Sequence, residues 1–514
     1  MSFFNITDYG AKGDHTLNNT EAIASAIEDC ASKGGGTVYI PAGTFLTGPI
    51  ALRSHITLFL EAGATLLFQD DFNQYPPVKT RWSGYECYGF HPLIYGYGLT
   101  NVSIKGSGII DGQGEAWWKV NRKLRKKEHY VSERTKEIAQ LNRSLTDSVH
   151  NNIVEWESQF FRPPLLQLMH CEQVTLEGVT LQNSPFWNTH LVYCDNVNVH
   201  GVNFKNPSNT PNGDGFDIDS CSNVRVSDCH FDVGDDCLCL KSGINEDGRR
   251  VDRPTENITV TNCTMLHGHG GVVFGSENSG GIRNVTVSNC VFIGTDRGIR
   301  IKTNRARGSY IQNILVNNIY MEDVFCPLAI NSFYRHGVDD RDPNMNNPDA
   351  IEVTEKTPRI KHIQVKNVTA KNCRAAAGFI YGLPEMPVEE VTLSHVHIEM
   401  TKDPNEIGGE PDMVKEKKVM AGAGIYGKHI HDIVLDHVRV ETRQGEALLL
   451  EQSSQVELNY LAMKHRHERA PVVTLNHVKE IYIEGKDAFR ANKADYLQYD
   501  ADTCKEIIYC GEKL

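Results

Sequence analysis

The sequence predicts an all-β protein folded as a parallel β-helix, a solenoid in which each coil of short strands lies on the one before it. A short pattern recurs along the chain: two polar residues followed by a burst of β-branched residues. The smallest step between bursts is 23 residues, from Val174 to Val197, too short for two strands joined by a crossover helix. The first β-branched residues of the bursts are Val174, Val197, Val224, Ile258, Val285, Ile314, Ile363, Val391 and Ile433.

Steps longer than the shortest one are interpreted as coils that carry loops. A β-sandwich is the main alternative architecture, but tight hairpin turns of the Asn-Gly kind do not dominate between the bursts. We therefore expect one β-helix domain over residues 1–514.

An amphipathic helix is predicted near the N-terminus, over residues 19–33. Ile23, Ile27 and Cys30 share one face of this helix, Asn19 is a suitable N-cap, and Gly34 follows the end. Because the open first coil of a solenoid needs covering, we expect residues 1–50 to form an N-terminal cap.

Two segments interrupt the repeat, residues 117–160 and residues 334–360. The first is polar and partly helical. It contains a basic run, for which a solvated helix face is the usual explanation and a wall over an anionic ligand is the functional alternative. The run consists of Lys119, Arg122, Lys123, Arg125, Lys126 and Lys127.

The composition is that of an ordinary globular protein, with 40% hydrophobic and 23% charged residues. A net charge of −13 argues against general binding of nucleic acid or anionic membranes. The first residues do not resemble a signal peptide, so a cytoplasmic location is expected. The 14 cysteines lack paired CxxC spacing. Buried, reduced thiols are therefore expected, and no metal or other cofactor is predicted.

Polar residues gather at the heads of successive predicted strands. The heads read GDGFDI (213–218), DDCLCL (235–240), GHGGVVF (268–274) and GIRIK (298–302). Aligning their apolar residues places Asp214 over Asp236, with His269 near them in the next coil. Arg300 and Lys302 follow one coil later, and coils lie about 4.8 Å apart. Asp235 is expected in the bend before the strand, so that it reaches the same cleft from another angle.

Crowded carboxylates suit glycoside cleavage, in which one carboxyl is protonated to donate to the leaving oxygen and another is ionised to act on water or the anomeric carbon. Arginine grips a carboxylate at two points and lysine supplies a point charge. The cations therefore favour an acidic sugar as substrate. The simpler alternative is a set of external polar residues without a shared purpose.

The motifs NGD (212–214), GDD (234–236), GHG (268–270) and RIK (300–302), together with FNITDYGAKGD and NSPFWNTH (183–190), resemble glycoside hydrolase family 28, the polygalacturonases. The resemblance implies a right-handed, pectin-lyase-like β-helix and metal-free hydrolysis of α-1,4-galacturonosyl linkages with inversion. It implies that Asp235 is the general acid, that Asp214 and Asp236 activate water, and that His269 supports the acid. Substrate contacts would come from Arg300, Lys302, Tyr334 and Asn212. His267 is an alternative to His269 as the catalytic imidazole.

The two interrupting segments resemble the walls of the exo-acting bacterial branch of this family, which predicts release of monogalacturonate or digalacturonate from non-reducing ends. Three alternatives remain open. They are a galacturonidase acting on rhamnogalacturonan-derived oligosaccharides, a non-catalytic glycan-binding β-helix, and a calcium-dependent pectate lyase, the last being disfavoured by the acids. The sequence does not predict an oligomeric state.

Overall fold

The structure is a computed structural model that describes residues 3–126, 128, 130–143, 161–336, 342–415, 417–463 and 470–514. The chain divides into two compact units, Met1–Cys239 and Leu240–Leu514. The expectation of a single domain stays a prediction. Parts of three predicted features lie outside the described residues. They are Lys127 of the basic run, residues 144–160 of the first interruption and residues 337–341 of the second.

In the described part of the first unit, most strands stack into three parallel ladders. The first ladder contains β1 (Phe3–Asn5), β3 (Gly36–Ile40), β6 (Ile56–Leu60), β11 (Thr100–Gly106), β14 (Glu172–Glu177), β17 (Asp195–His200) and β20 (Ser222–Ser227). The second contains β2 (Asp14–Asn18), β4 (Gly43–Thr47), β7 (Ala64–Phe68), β12 (Ile109–Asp111), β15 (Thr180–Gln182), β18 (Asn203–Lys205) and β21 (His230–Val233).

The third ladder of this unit carries the predicted acids at its end. It contains β5 (Ile50–Ala51), β10 (Ile94–Tyr97), β13 (Leu166–Met169), β16 (Thr189–Val192), β19 (Phe216–Asp219) and β22 (Asp236–Lys241). The unit boundary falls inside β22. An antiparallel hairpin, β8 (Pro77–Trp82) with β9 (Tyr85–Phe90), lies outside the ladders.

Successive strands belong to different ladders, so the chain winds once around the unit before each strand meets its partner. Val174 pairs with Val197, and Val197 pairs with Val224, and all three side chains are buried. The repeat markers therefore stack in the core, as the sequence predicts. Phe204 and Phe231 also stack inside, with ring centroids 4.7 Å apart.

In the second unit, the long strands are β26 (Ile282–Ile293), β28 (Tyr310–Glu322), β30 (Arg359–Cys373), β32 (Val388–Met400) and β34 (Ile430–Glu441). Shorter strands of the same sheet are β23 (Thr255–Thr261), β24 (Thr264–His267), β36 (Ser454–Asn459), β37 (Ala462–Met463), β39 (Lys479–Glu484), β41 (Lys505–Tyr509) and the antiparallel β42 (Glu512–Lys513). The markers from Ile258 to Ile433 pair in register along these strands.

A further parallel ladder of the second unit carries the predicted cations. It contains β25 (Gly270–Gly275), β27 (Arg297–Lys302), β29 (Cys326–Asn331), β31 (Ala376–Tyr381), β33 (Ala423–Lys428), β35 (Leu448–Glu451), β38 (Val473–Asn476) and β40 (Leu497–Tyr499).

The predicted N-terminal helix is present as α1 (Thr20–Ser32), with Ile23, Ile27 and Cys30 buried. Asn19 occupies the N-cap position, but its side chain makes no capping bond. It instead accepts from the Lys12 amide and donates to the Leu46 carbonyl, tying the cap together. The other described helices are α2 (Glu115–Arg125), α3 (Glu133–Leu141), α4 (Asn245–Val251), α5 (Lys486–Arg490), α6 (Lys493–Tyr496) and the 3₁₀ turns Ile6–Tyr9 and Phe72–Gln74.

The cysteines are all free thiols, and all except Cys510 are buried, so their predicted burial is confirmed. In the described parts of the chain, no helix combines the length and apolar character that crossing a bilayer requires.

Candidate active site

Asp214 and Asp236 are neighbours at the end of the third ladder of the first unit. The Gly215 amide donates to the Asp236 carbonyl at 3.0 Å, a pairing that sets Asp214 beside Asp236. A carboxylate oxygen of each lies within 4.8 Å of the other and of the Cys239 sulfur, and both side chains are buried. The predicted register is therefore confirmed for this pair. A β-carbon at Gly215 would lie 2.5 Å from the Cys237 carbonyl oxygen, so this close approach requires glycine.

Asp235 has a different setting from Asp236. It lies in the bend that precedes β22 and is half-buried, whereas Asp236 is 2% exposed. One carboxylate oxygen of Asp235 accepts a hydrogen bond from the Asp236 amide at 3.0 Å. The predicted bend is confirmed, and the adjacent acids differ in solvent access.

The loop that carries Asp214 is held by Arg162, a buried arginine. Its guanidinium donates to the carbonyls of Pro185 at 2.8 Å and Pro211 at 2.7 Å, and to the Asn212 side-chain oxygen at 2.9 Å. Burial, followed by the charge of Arg125, lowers the pKa of Arg162 to about 9, while the charge of Asp214 opposes that shift. The guanidinium therefore stays charged at neutral pH. The Arg162 guanidinium occupies the side-chain oxygen of Asn212. This contact does not test the substrate-binding role of Asn212, which stays a prediction.

Part of the basic run on α2 contacts the same loop. Arg122 donates to the Asn209 carbonyl at 2.9 Å, and Arg125 donates to the Asn212 side chain at 3.2 Å. Lys119 instead forms an exposed pair with Glu115. The run is therefore more than a solvated face, because two of its arginines brace the loop before Asp214. A wall over an anionic ligand stays a prediction.

A buried polar network lies on the strands next to this loop. Arg81 and Asp219 form an ion pair at 2.8 Å with both side chains fully buried. His190 lies 3.3 Å from the second Asp219 oxygen and contacts Gln167 at 2.9 Å. Sequence reasoning missed Arg81 and Arg162, because each finds its partners far away along the chain.

In the second unit, His269 lies in the bend directly before β25, and His267 is the last residue of β24. Both imidazoles are exposed. Exposure does not distinguish them, so the choice of His269 over His267 stays a prediction.

Arg300, Lys302 and Tyr334 form one group in the second unit. The Tyr334 ring centroid lies 5.5 Å from the Arg300 guanidinium carbon and 5.4 Å from the Lys302 ammonium nitrogen. Arg300 is 1% exposed and binds Asp412, with an Arg300 Nη2 to Asp412 Oδ1 distance of 2.5 Å. Its guanidinium therefore has a protein carboxylate as partner, whereas the sequence suggested a substrate carboxylate. That predicted role in substrate binding is not tested by this contact.

Comparison with known proteins shows to which family the chain belongs. The model of Glycosyl hydrolases family 28 matches residues 150–416. A probable polygalacturonase of Vitis vinifera is 33% identical over 405 residues, 77% of this chain and 74% of the relative. The chain belongs to glycosyl hydrolase family 28. It is a glycoside hydrolase, as its motifs predict.

Other relatives of this family 28 enzyme define its fold. The crystal structure of a hyperthermoactive exopolygalacturonase from Thermotoga maritima is 30% identical, covers 85% of this chain and 91% of its own, and superposes with a TM-score of 0.70. An exo-poly-alpha-D-galacturonosidase of Dickeya chrysanthemi is 30% identical over 62% of this chain and 55% of the relative. A second model, Rhamnogalacturonase A/epimerase, pectate lyase-like, matches residues 3–123. The predicted right-handed parallel β-helix is confirmed.

A segment that the sequence did not single out contacts the group formed by Arg300, Lys302 and Tyr334. Residues 401–422 join β32 to β33, and they carry Asp412. Burial works against ionisation of Asp412, but the charges of Arg300 and Arg297 and its hydrogen bonds outweigh it, so the pKa of Asp412 is lowered. The ionised carboxylate anchors this segment of the family 28 enzyme.

We expect Asp412→Asn to lower the thermal unfolding midpoint at neutral pH and to matter less in acid. Because the folded-state pKa is lowered, the stabilisation is complete above the unfolded value of about 3.9 and is lost as pH falls through the folded value. Scanning calorimetry between about pH 3 and pH 7 measures the deficit. Asp403→Asn, an exposed change in the same segment, is the control. A deficit independent of pH would contradict the ion-pair explanation.

Proposed function

We propose that this family 28 enzyme hydrolyses α-1,4-galacturonosyl linkages of polygalacturonate or oligogalacturonides from the non-reducing end, with inversion. The observation that carries the chemistry is the contrast between half-buried Asp235 and the buried Asp214 and Asp236 pair. Inverting hydrolysis needs one carboxyl that donates a proton and another carboxylate that activates water.

In this proposal, Asp235 protonates the glycosidic oxygen as the bond to the anomeric carbon breaks. Asp214 and Asp236 take a proton from the water that attacks the opposite face of the sugar. His269 supports Asp235 in its acid role. Proton donation from the half-exposed position and water activation by the buried pair divide the two tasks between different environments.

Recognition of the acidic sugar is assigned to Arg300, Lys302, Tyr334 and Asn212. Lys302 supplies a point charge to the substrate carboxylate, and the Tyr334 ring lies beside both cations. Arg300 contributes its positive charge to the same group while its guanidinium is bound to Asp412. The names of the relatives, which are polygalacturonases and exopolygalacturonases, support a galacturonan substrate.

Exo action is supported by relatives from Dickeya chrysanthemi and Thermotoga maritima whose names specify it. The interruptions at 117–160 and 334–360 are proposed as walls that close a pocket around a chain end. Within the first of them, the contacts of Arg122 and Arg125 fix α2 against the loop before Asp214. A fixed wall in that place would limit the number of sugars that fit.

Timed chromatography of the products from polygalacturonate tests exo action. We expect monogalacturonate or digalacturonate to be the first and dominant product while most of the polymer remains long. A ladder of mixed oligomers at early times would overturn exo action. An Asp235→Asn preparation, purified in parallel, controls for contaminating hydrolases. Rhamnogalacturonan-derived oligosaccharides, assayed beside polygalacturonate, test the alternative substrate class.

A further inference from the structure

A cleft of about 660 Å³ in the second unit carries an unusual concentration of lysines. One wall comes from the segment around 343–348, and the other from Val414, Lys415, Lys417 and Lys418. The floor comes from Phe333 and from strands β31 and β33. We call it the lysine cleft and define it by six lining residues, Lys415, Lys417, Lys418, Lys428, Tyr381 and Tyr426.

Most of these lysines lack a carboxylate partner. Among the residues that the structure describes, Lys415, Lys418 and Lys428 have no carboxylate oxygen within 4.0 Å, whereas Lys417 lies 3.6 Å from Glu410. Like charges that lie close together repel one another, so this group of lysines favours an anionic occupant.

Lys418 packs against an aromatic ring of the lysine cleft. Its ammonium nitrogen lies 3.1 Å from the Tyr426 ring centroid, and Tyr426 in turn donates to Glu451 at 2.7 Å. Burial is the main cause that lowers the pKa of Lys418; the charge of Lys428 adds to it, and the charges of Glu451 and Glu446 oppose it. A bound carboxylate would add a further negative charge beside this buried ammonium.

The walls of the lysine cleft are held in place before any ligand binds. Buried Arg305 donates to the Asn344 carbonyl at 2.8 Å and forms an ion pair with Glu385 at 2.7 Å, fixing the wall around 343–348. The opposite wall follows Asp412, which Arg300 holds, and Arg335 donates to the Val414 carbonyl at 3.1 Å. A rigid, preformed site lowers the entropic cost of binding.

Strand pairing relates Lys428 of the lysine cleft to Lys302, which is predicted to bind the substrate carboxylate. Lys302 pairs with Asn331, Asn331 with Tyr381, and Tyr381 with Lys428. Three steps between parallel strands span about 14 Å. Several linked sugar rings can cover that distance along one face of the ladder.

We infer that the lysine cleft binds the carboxylate of a uronate ring remote from the scissile bond, so that the enzyme favours longer acidic oligosaccharides. The inference rests on the proposed function, because it takes Lys302 to mark the ring near the cut. Lys415, Lys418 and Lys428 supply the charge, and the Tyr381 ring offers an apolar face beside them.

The test compares the shortest oligogalacturonide that the wild type cleaves with hexagalacturonate. We expect Lys415→Gln and Lys428→Gln each to raise KM for the hexamer about tenfold, the scale of one lost charged hydrogen bond, with kcat unchanged. KM for the shortest substrate stays at the wild-type value. Lys366→Gln, an exposed change on β30, is the matched control and leaves both values unchanged. Lys418→Gln is a third variant, accepted if its circular dichroism spectrum matches the wild type.

An equal change in KM for both substrates, or no change for either, would overturn the inference. Failure of the proposed function gives a different result, because the wild type then cleaves neither substrate. In that case, calorimetric titration of hexagalacturonate decides the inference by itself. Binding that weakens in the lysine variants and persists in Lys366→Gln supports it, and undetectable or unaltered binding overturns it.

Discussion

Asp235→Asn is expected to lower kcat by about 10²- to 10⁴-fold, the usual contribution of a general acid, and to leave KM near the wild-type value. Asparagine keeps the shape of the side chain and its acceptor oxygen for the Asp236 amide. The bend before β22 is therefore retained while the proton is removed. Steady-state kinetics on polygalacturonate measure the effect.

The control for this substitution is Asp228→Asn, an exposed carboxylate of the same unit with a positive φ that asparagine adopts readily. It is expected to keep full activity. Activity of Asp235→Asn within a few-fold of the wild type would contradict the assignment of Asp235 and favour a different active site or a non-catalytic glycan-binding role.

Arg162→Met is expected to lower kcat by about 100-fold, because small displacements of a catalytic group carry costs of that order. Removing the guanidinium leaves the Pro185 and Pro211 carbonyls without their donor, and each unsatisfied buried group costs about 1–3 kcal/mol of stability. The loop before Asp214 then shifts. Arg162 acts as a positioning residue, so kcat is expected to fall much more than KM rises.

Two variants separate positioning from general destabilisation. Arg122→Met removes one contact to the same loop from a less buried side chain and is expected to change kcat less than about threefold. Arg162→Lys is expected to recover part of the lost kcat, because an ammonium can reach one of the two carbonyls. Equal loss of stability in Arg162→Met and Arg162→Lys, without any difference in kcat, would contradict the positioning role.

Much of the fold was predictable because each coil of the β-helix repeats the same short sequence pattern. Val174, Val197 and Val224 stack because each occupies the same place in a coil, and the spacing of the bursts reveals that place. The same logic predicted Asp214 beside Asp236 and Asp235 in the preceding bend.

The contacts that sequence reasoning missed join residues far apart in the chain. Asp412 meets Arg300 from a segment of irregular structure, and no repeat or motif marks it. Arg162 contacts carbonyl groups, which every residue carries, so its partners leave no trace in the sequence. Asn19 was predicted as an N-cap from its position, but tertiary partners at Lys12 and Leu46 compete for the same side chain.

The central claim is inverting release of galacturonate from the non-reducing end by Asp235 with Asp214 and Asp236. A proton NMR time course on a hexagalacturonate labelled at its reducing end measures product size, attacked end and anomeric configuration together. We expect unlabelled monogalacturonate or digalacturonate to appear first, with its new reducing end in the β configuration and the label retained on the longer fragment. First products with the α configuration, or labelled monogalacturonate or digalacturonate formed together with a longer unlabelled fragment, would contradict the account.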